Sequence, residues 1–151
     1  MRKLVLFAIG ACALIAPAAI GETADDDHAA FVLRDETMRQ LGKNLYVRIG
    51  RVVQGYAPYG PDTVTAAEAA ERLIATLPTL FPPGSDVPPS RMRTELLAPD
   101  SGQVALIAAV QGATGSLVSA VKGGNPATMA TAFKAVNDAC TACHTKYRND
   151  N

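Results

Sequence analysis

Two cysteines and a histidine lie close together near the C-terminal end, in the run Cys140-Thr141-Ala142-Cys143-His144. This C-x-x-C-H pattern is typical of covalent haem attachment. Residues three apart on a helix share one face and differ in height by about 4.5 Å. Two sulfurs placed in this way can each bond one vinyl-derived carbon at the same edge of a porphyrin, and His144 can then ligate the iron. The motif therefore predicts one haem c, bound through Cys140 and Cys143, with His144 as an iron ligand.

Three other uses of the two cysteines fit the sequence less well. A thioredoxin-like redox pair usually opens a helix that follows a strand, whereas this pair falls near the end of the last predicted helix. A zinc site needs a fourth ligand, for which the chain outside the motif and the N-terminal leader offers only His28 and carboxylates. A disulfide between residues three apart in one helix would constrain very little of the chain.

The residues around the motif have the periodicity of a helix. Apolar residues and the two cysteines recur at spacings of three and four, which is the pattern of one buried helix face. The members of this stripe are Met129, Phe133, Val136, Cys140, Cys143 and Tyr147. Asn125-Pro126 supplies an N-cap followed by proline at the first helical position.

Three earlier segments show similar helical periodicity. The first spans residues 31–56, with Phe31, Met38, Leu41, Leu45, Ile49, Val52 and Tyr56 on its stripe. The second starts near Asp62 or Thr65, where Thr65 to Glu68 fits a capping box, and the third spans residues 101–122. Residues 79–99 are rich in proline and predict a long ordered loop. We therefore predict an all-α, antiparallel four-helix bundle with covalently bound haem on the C-terminal helix.

The first 21 residues have the features of a secretory signal peptide. Arg2 and Lys3 precede an apolar run at residues 4–16, and small residues follow where a signal peptidase would cut. The run is short for a membrane span of about 20 residues, which disfavours the alternative of an anchor. We predict a signal peptide at 1–21 and one domain at 22–151. Cleavage removes Cys12, and export predicts the periplasm, where paired thiols stay reduced only when they are bound to something.

Composition and charge disfavour several classes of function. The chain has 14 basic and 14 acidic residues, so a nucleic-acid binder is not expected. Only two histidines are present, no Ser-His-Asp arrangement can be defended, and the glycine-rich run at 112–116 lacks the lysine of a phosphate loop. We predict that the protein is not an enzyme and that its mature chain has no membrane span.

The motif extends to C-x-x-C-H-x-x-Y-R through Arg148 and lies on the last helix of a predicted bundle. In this respect the chain resembles class II c-type cytochromes, the cytochrome c' family. Supporting similarities are Gly55-Tyr56-Ala57-Pro58-Tyr59 after the first helix and Phe81-Pro82-Pro83-Gly84-Ser85-Asp86 in the loop. The resemblance implies a haem within the bundle and a monomer or a homodimer formed by the first two helices.

The same resemblance bears on the sixth position of the iron. Arg34 and Met38 are similar to the R-x-x-x-M of the low-spin members, which implies that Met38 is the second axial ligand and that Arg34 pairs with a haem propionate. Arg148, one turn after His144, is expected either to shield the imidazole, to meet a propionate or simply to be a solvated cation. Met129 lies about 22 Å along the helix from His144 and cannot easily reach the opposite side of the iron. Met92 in the loop stays open as an alternative.

Two functions follow from this choice. With Met38 bound, the resemblance implies a periplasmic one-electron carrier. Basic residues of the first helix, together with two at the C-terminal end, could dock an acidic redox partner protein or simply be solvated: Arg39, Lys43, Arg48, Arg51, Lys146 and Arg148. With the sixth position open, the resemblance implies a five-coordinate high-spin haem protein that binds small gases such as NO or CO.

Overall fold

The computed structural model describes residues 24–149, and it arranges them as four helices. Helix α1 continues through three consecutive segments, Ala24–Gly42, Lys43–Gly50 and Arg51–Val53; α2 is Pro61–Ala75, α3 is Gln103–Gly123 and α4 is Pro126–Tyr147. Within residues 24–149 the only β pairing is an isolated bridge between Met92 and Arg148. The predicted all-α four-helix bundle is therefore confirmed. The predicted signal peptide and Cys12 lie outside the described residues.

Helix α4 begins at the predicted place for the predicted reason. The side-chain oxygen of Asn125 accepts a hydrogen bond from the Thr128 N–H at 3.1 Å, and Pro126 is the first helical residue. The preceding helix ends at Gly124, whose φ of +67° is a conformation that glycine adopts without strain. These local signals place the start of the motif-bearing helix.

Helix α2 starts within one residue of Asp62, the first of the two predicted positions, but its predicted cap differs. Thr65 lies inside the helix, where its hydroxyl donates to the Pro61 carbonyl at 3.1 Å, so the capping box predicted at Thr65 to Glu68 was wrong. The helix instead begins after Gly60, whose N–H donates to the Thr63 hydroxyl at 3.3 Å. Pro61 takes the first helical position, where its missing N–H costs nothing, and this moves the start upstream.

Helix α1 contains a π-helical stretch, Lys43–Gly50, which the sequence did not predict. A Cβ at Gly50 would lie 3.1 Å from the Phe133 ring, so glycine allows α4 to approach closely here. Leu41, Leu45 and Ile49 of the predicted stripe are buried. Tyr56 is 71% exposed, because the helix has ended at Val53 and Gly55 turns the chain with a φ of +76°; its predicted burial was wrong.

The proline-rich segment between α2 and α3 belongs to the core. It contains two short 3₁₀ turns, Leu77–Thr79 and Thr94–Leu97, and it buries Leu80, Ser85 and Leu96 almost completely. Loops that bury apolar side chains are held by tertiary packing rather than by their own hydrogen-bond ladder. The prediction of an ordered loop is confirmed.

Helix α3 packs against both α2 and α4, with Val110, Thr114, Leu117 and Val121 buried. By length and hydropathy alone it is also the one helix of the described part of the chain that would be long and apolar enough to cross a membrane. Core helices of bundles have the same composition. The absence of a membrane span from the mature chain stays a prediction.

Candidate haem-binding site

The C-terminal helix brings the predicted attachment residues to one cavity. Cys140 and Cys143 lie one turn apart on α4 and are half-buried, and His144 follows directly and is more exposed; all three line the cavity. The buried residues Met129, Val136 and Tyr147 belong to the same stripe as the cysteines and anchor the helix in the bundle. The periodicity of the sequence thus places the motif at the wall of the cavity.

The cavity has a volume of about 600 Å³, within the range of roughly 300–1000 Å³ that cofactor sites occupy. Residues from α1, α3, α4 and the loop line it. The apolar members of the lining include Phe31, Met38, Leu41, Leu45, Ile74, Leu77, Phe81, Met92, Leu96, Ile107 and Val110. The charged members are Arg34, Asp35, Arg39, Arg91 and Arg148. The site is therefore an apolar slot with mainly positive charge among its polar groups.

The two thiols are half-buried and are not joined by a disulfide. Burial raises the pKa of Cys140, with a smaller contribution from Cys143, and burial also raises the pKa of Cys143. Redox-active cysteine pairs need a lowered thiol pKa. The raised pKa of both thiols therefore disfavours a thioredoxin-like function.

His144 lies at the wall of the cavity beside a cation. Desolvation lowers the pKa of its imidazole, and the positive charge of Arg91 lowers it further. A histidine must be neutral to ligate a metal, so this environment favours the ligating form. Within residues 24–149 no cluster of three or more His, Cys, Asp or Glu side chains is arranged to hold a metal ion by itself.

Of the methionines considered for the sixth position, two line the cavity. Met38 reaches it from α1 and is half-buried against the core, whereas Met92 reaches it from the loop. Met129 is 2% exposed in the core of the bundle and is absent from the described lining. His28 is exposed near the start of α1, with its ring 5.9 Å from that of Phe31. The structure therefore places both Met38 and Met92 in the lining of the cavity that Cys140, Cys143 and His144 also line.

Both predicted arginines also line the cavity, but in different settings. Arg34 is buried, and its guanidinium donates hydrogen bonds to the loop. Arg148 is exposed at the end of α4, where its N–H donates to the His144 carbonyl at 2.9 Å and its backbone pairs with Met92. The pairing of either side chain with a propionate stays a prediction.

Sequence reasoning missed several residues of the site. Phe81 and Arg91 line the cavity from the proline-rich loop, and Tyr46 lines it from the π-helical stretch. The Tyr46 hydroxyl donates to Asn137 at 3.0 Å, and its ring meets Phe133 edge-on. No periodicity marks these residues, because each is brought to the site by a loop or by an irregular turn. Phe81 and Arg91 are marked only by their aromatic or cationic character near proline, and the sequence offers no comparable signal for Tyr46.

The donor set and the mainly apolar lining of the cavity fit haem c. Two free thiols and one imidazole line the same cavity, as thioether attachment and iron ligation require. Haem also carries two propionate carboxylates, and the arginines of the lining supply charge of the opposite sign. The chemistry of the residues present therefore agrees with the group that the motif predicts.

Comparisons with known proteins agree with this site. A family model described as Cytochrome C' matches residues 30–148. A search of curated proteins found no match. Among solved structures, a nitric oxide-bound ferrous variant of cytochrome c' from Alcaligenes xylosoxidans has a TM-score of 0.76 at 24% identity, covering 83% of this chain and 97% of that chain.

Two further solved structures are similar in shape. A carbon monoxide-bound variant from Alcaligenes xylosoxidans has a TM-score of 0.74 at 26% identity and covers 82% of this chain and 97% of that one. Cytochrome c' from Rubrivivax gelatinosus has a TM-score of 0.75 at 22% identity with the same coverage, which shows the fold alone. Because the family match spans the four helices and the cavity carries the attachment residues, this chain belongs to the cytochrome c' family and binds haem c covalently through Cys140 and Cys143.

Proposed function

We propose that this protein is a periplasmic one-electron carrier, in which His144 and Met38 ligate the iron of haem c. The observation that carries the proposal is the position of Met38. It lines the same cavity as His144 but comes from a different helix, α1 rather than α4. When bound, the haem supplies a one-electron redox couple.

The residues of the chain would contribute rigidity and ligand chemistry. Met38 packs against the core cluster, and His144 is held on the long helix α4, so neither side chain needs a large movement between oxidation states. A thioether ligand raises the reduction potential because it favours the softer ferrous ion. Both properties suit fast and reversible electron transfer.

A second function, reversible binding of a small gas, is favoured by the comparisons. Two of the similar solved structures hold nitric oxide or carbon monoxide, and they support this function more directly than they support a carrier. For this chain it requires that Met38 act only as an apolar residue of the wall. Methionine fills irregular core gaps well, so the packing of Met38 is compatible with this function.

Absorption and electron paramagnetic resonance spectra of the holoprotein separate the two functions. A carrier ligated by Met38 gives low-spin ferric haem, which Met38→Ala converts to high spin. Met92→Leu is the matched control, because Met92 lines the same cavity and its replacement should leave the spectrum unchanged. A high-spin signal from the unmodified protein, or rapid CO binding to its reduced form, would overturn the Met38 proposal and support gas binding.

The proposed partners are periplasmic redox proteins with an acidic surface. Arg39, Lys43, Arg48 and Arg51 are all exposed on α1, so this basic face is accessible. If it docks a partner, electron transfer between the two proteins should slow as ionic strength rises. An electron-transfer rate that did not change with ionic strength would mean that these residues are solvated and do not dock a partner.

A further inference from the structure

Arg34 is a buried cation that is held entirely by the loop. It is 6% exposed, and all four N–H groups of its terminal nitrogens are used. Nη1 donates to the Leu80 carbonyl at 2.9 Å and to the Ser85 hydroxyl at 3.1 Å. Nη2 donates to the Ser85 carbonyl at 2.7 Å and to the Ser90 hydroxyl at 3.2 Å. The guanidinium also lies over the Phe81 ring, 5.6 Å from its centre.

The other end of this loop segment is tied to α4. The Arg93 N–H donates to the Tyr147 carbonyl at 2.8 Å, and the Asn149 N–H donates to the Arg91 carbonyl at 2.8 Å. Residues 80–93 therefore connect α1, which carries Met38, to the end of α4, which carries His144. Phe81, Ser90 and Met92 of this segment line the cavity between the two ties.

We propose that Arg34 is a positioning residue that holds residues 80–93 as a wall of the haem cavity, and that its terminal nitrogens do not serve a propionate. The resemblance to the low-spin members implied the opposite role. A paired contact between a guanidinium and a carboxylate uses two N–H groups of one planar edge. Such a contact would take at least one terminal N–H away from the loop oxygens, and the carbonyls of Leu80 and Ser85 belong to residues with 0–1% exposure. A buried acceptor left without a donor is costly.

The charges around Arg34 fit the positioning role. Burial lowers its pKa, while the carboxylates of Asp86 and Asp35 oppose that effect and favour the cation. Asp86 belongs to the same loop and accepts a hydrogen bond from the Thr94 hydroxyl at 2.7 Å. The segment therefore supplies its own counter-charge to the guanidinium. Arg91 and Arg148 also line the cavity and are exposed, so these two arginines are better suited than Arg34 to pair with a propionate.

Amide hydrogen exchange of the holoprotein tests the proposal. Arg34→Gln should speed exchange at Ser85, Ser90 and Arg93 by about tenfold or more, because local opening no longer breaks hydrogen bonds to a buried charge. These amides donate to Pro82, Val87 and Tyr147 respectively. Arg39→Gln is the matched control, since Arg39 lines the same cavity but is exposed and pairs with Asp35. In the Arg39→Gln variant, the amide exchange rates of Ser85, Ser90 and Arg93 should stay within about twofold of those in the unmodified protein.

The reduction potential distinguishes a tie to the loop from a contact with haem. Ser90→Ala removes one loop acceptor and should shift the potential in the same direction as Arg34→Gln, with no further shift in the double variant. Arg34→Lys keeps the charge but not the planar set of donors, so it should not restore the potential. Restoration by lysine together with a silent Ser90→Ala would assign Arg34 to a propionate and overturn the proposal.

One further outcome is decisive. If Arg34→Gln does not fold, Arg34→Lys and Ser90→Ala carry the test, and unchanged exchange over residues 82–93 in both would overturn the proposal. The expected exchange is the same whether Met38 ligates the iron or a gas binds there. Failure of the loop proposal is therefore distinguishable from failure of the proposed function, which the spin state reports.

Discussion

Helix α4 and the segment of residues 80–93 adjoin the same haem cavity, but different kinds of contact hold them in place. The helix carries Cys140, Cys143 and His144 on a regular stripe and starts at a local cap, Asn125. The segment has no regular hydrogen-bond ladder, and Arg34 and the end of α4 hold it from outside. The attachment residues thus lie on a helix whose position is set by local sequence signals, whereas residues 80–93 are held in place by contacts with other parts of the fold.

The largest expected effect comes from replacing the attachment residues on α4. Replacing both Cys140 and Cys143 by alanine removes both sulfurs that form thioethers, so haem should no longer be covalently bound. Mass spectrometry should then give the mass of the polypeptide alone, and acidified acetone should extract any pigment. Thr141→Ala, an exposed position between the cysteines, should retain covalent haem. Haem that remained attached in the double variant would contradict the assignment.

A smaller but substantial effect is expected on the loop side. Leu80 is 1% exposed and belongs to the core cluster although it lies in a loop. Leu80→Ala should lower the free energy of unfolding by about 2–5 kcal/mol, as for a buried leucine in a helix. Urea unfolding followed by circular dichroism measures this loss, and the exposed neighbour Thr79→Ala is the control. Equal stability of the two variants would mean that the loop does not contribute to the core.

A modest effect on stability is expected from removing the N-terminal cap of α4. Asn125→Ala removes the side chain that caps the first turn and should cost about 1 kcal/mol of unfolding free energy. Thr131→Ala, an exposed position within the same helix, provides the comparison in the same urea experiment. If both variants lost the same stability, packing rather than capping would determine where α4 starts.

The smallest effect concerns an exposed ion pair far from either wall. Lys122 Nζ lies 2.9 Å from the Glu68 carboxylate, joining α3 to α2. The hydrogen bond from Lys122 lowers the pKa of Glu68 in the folded state. A carboxyl whose pKa is lowered in the folded state stabilises the protein at pH values above 4.5, which is its ordinary pKa. That contribution is lost as the pH falls through the pKa of the folded state.

Glu68→Gln should therefore lower the midpoint of thermal unfolding slightly at neutral pH and not at all in acid. High salt should also reduce the difference, because exposed pairs are screened. Glu95→Gln, at an exposed residue of the loop, serves as the control. A difference that persisted in acid would show that the effect does not come from the ion pair.

The attachment chemistry and most of the helical framework could be predicted from local sequence patterns. The C-x-x-C-H motif, the stripe from Met129 to Tyr147 and the Asn125-Pro126 cap are all local, because helix geometry relates residues only three or four apart. These features sufficed to predict haem c, its attachment through Cys140 and Cys143, and a four-helix bundle. Local signals were weaker at α2, where a proline at the first helical position outweighed the expected capping box at Thr65.

Which residues complete the cavity depends on how the helices and the loop pack together. The tertiary structure placed Met38 and Met92 on one lining, removed Met129 from it, and turned the guanidinium of Arg34 toward Leu80, Ser85 and Ser90, residues 46–56 positions away. The π-helical stretch and the close approach of Phe133 to Gly50 were likewise not predicted from the sequence. Contacts at such separations depend on how whole elements pack together, and no local periodicity encodes that packing.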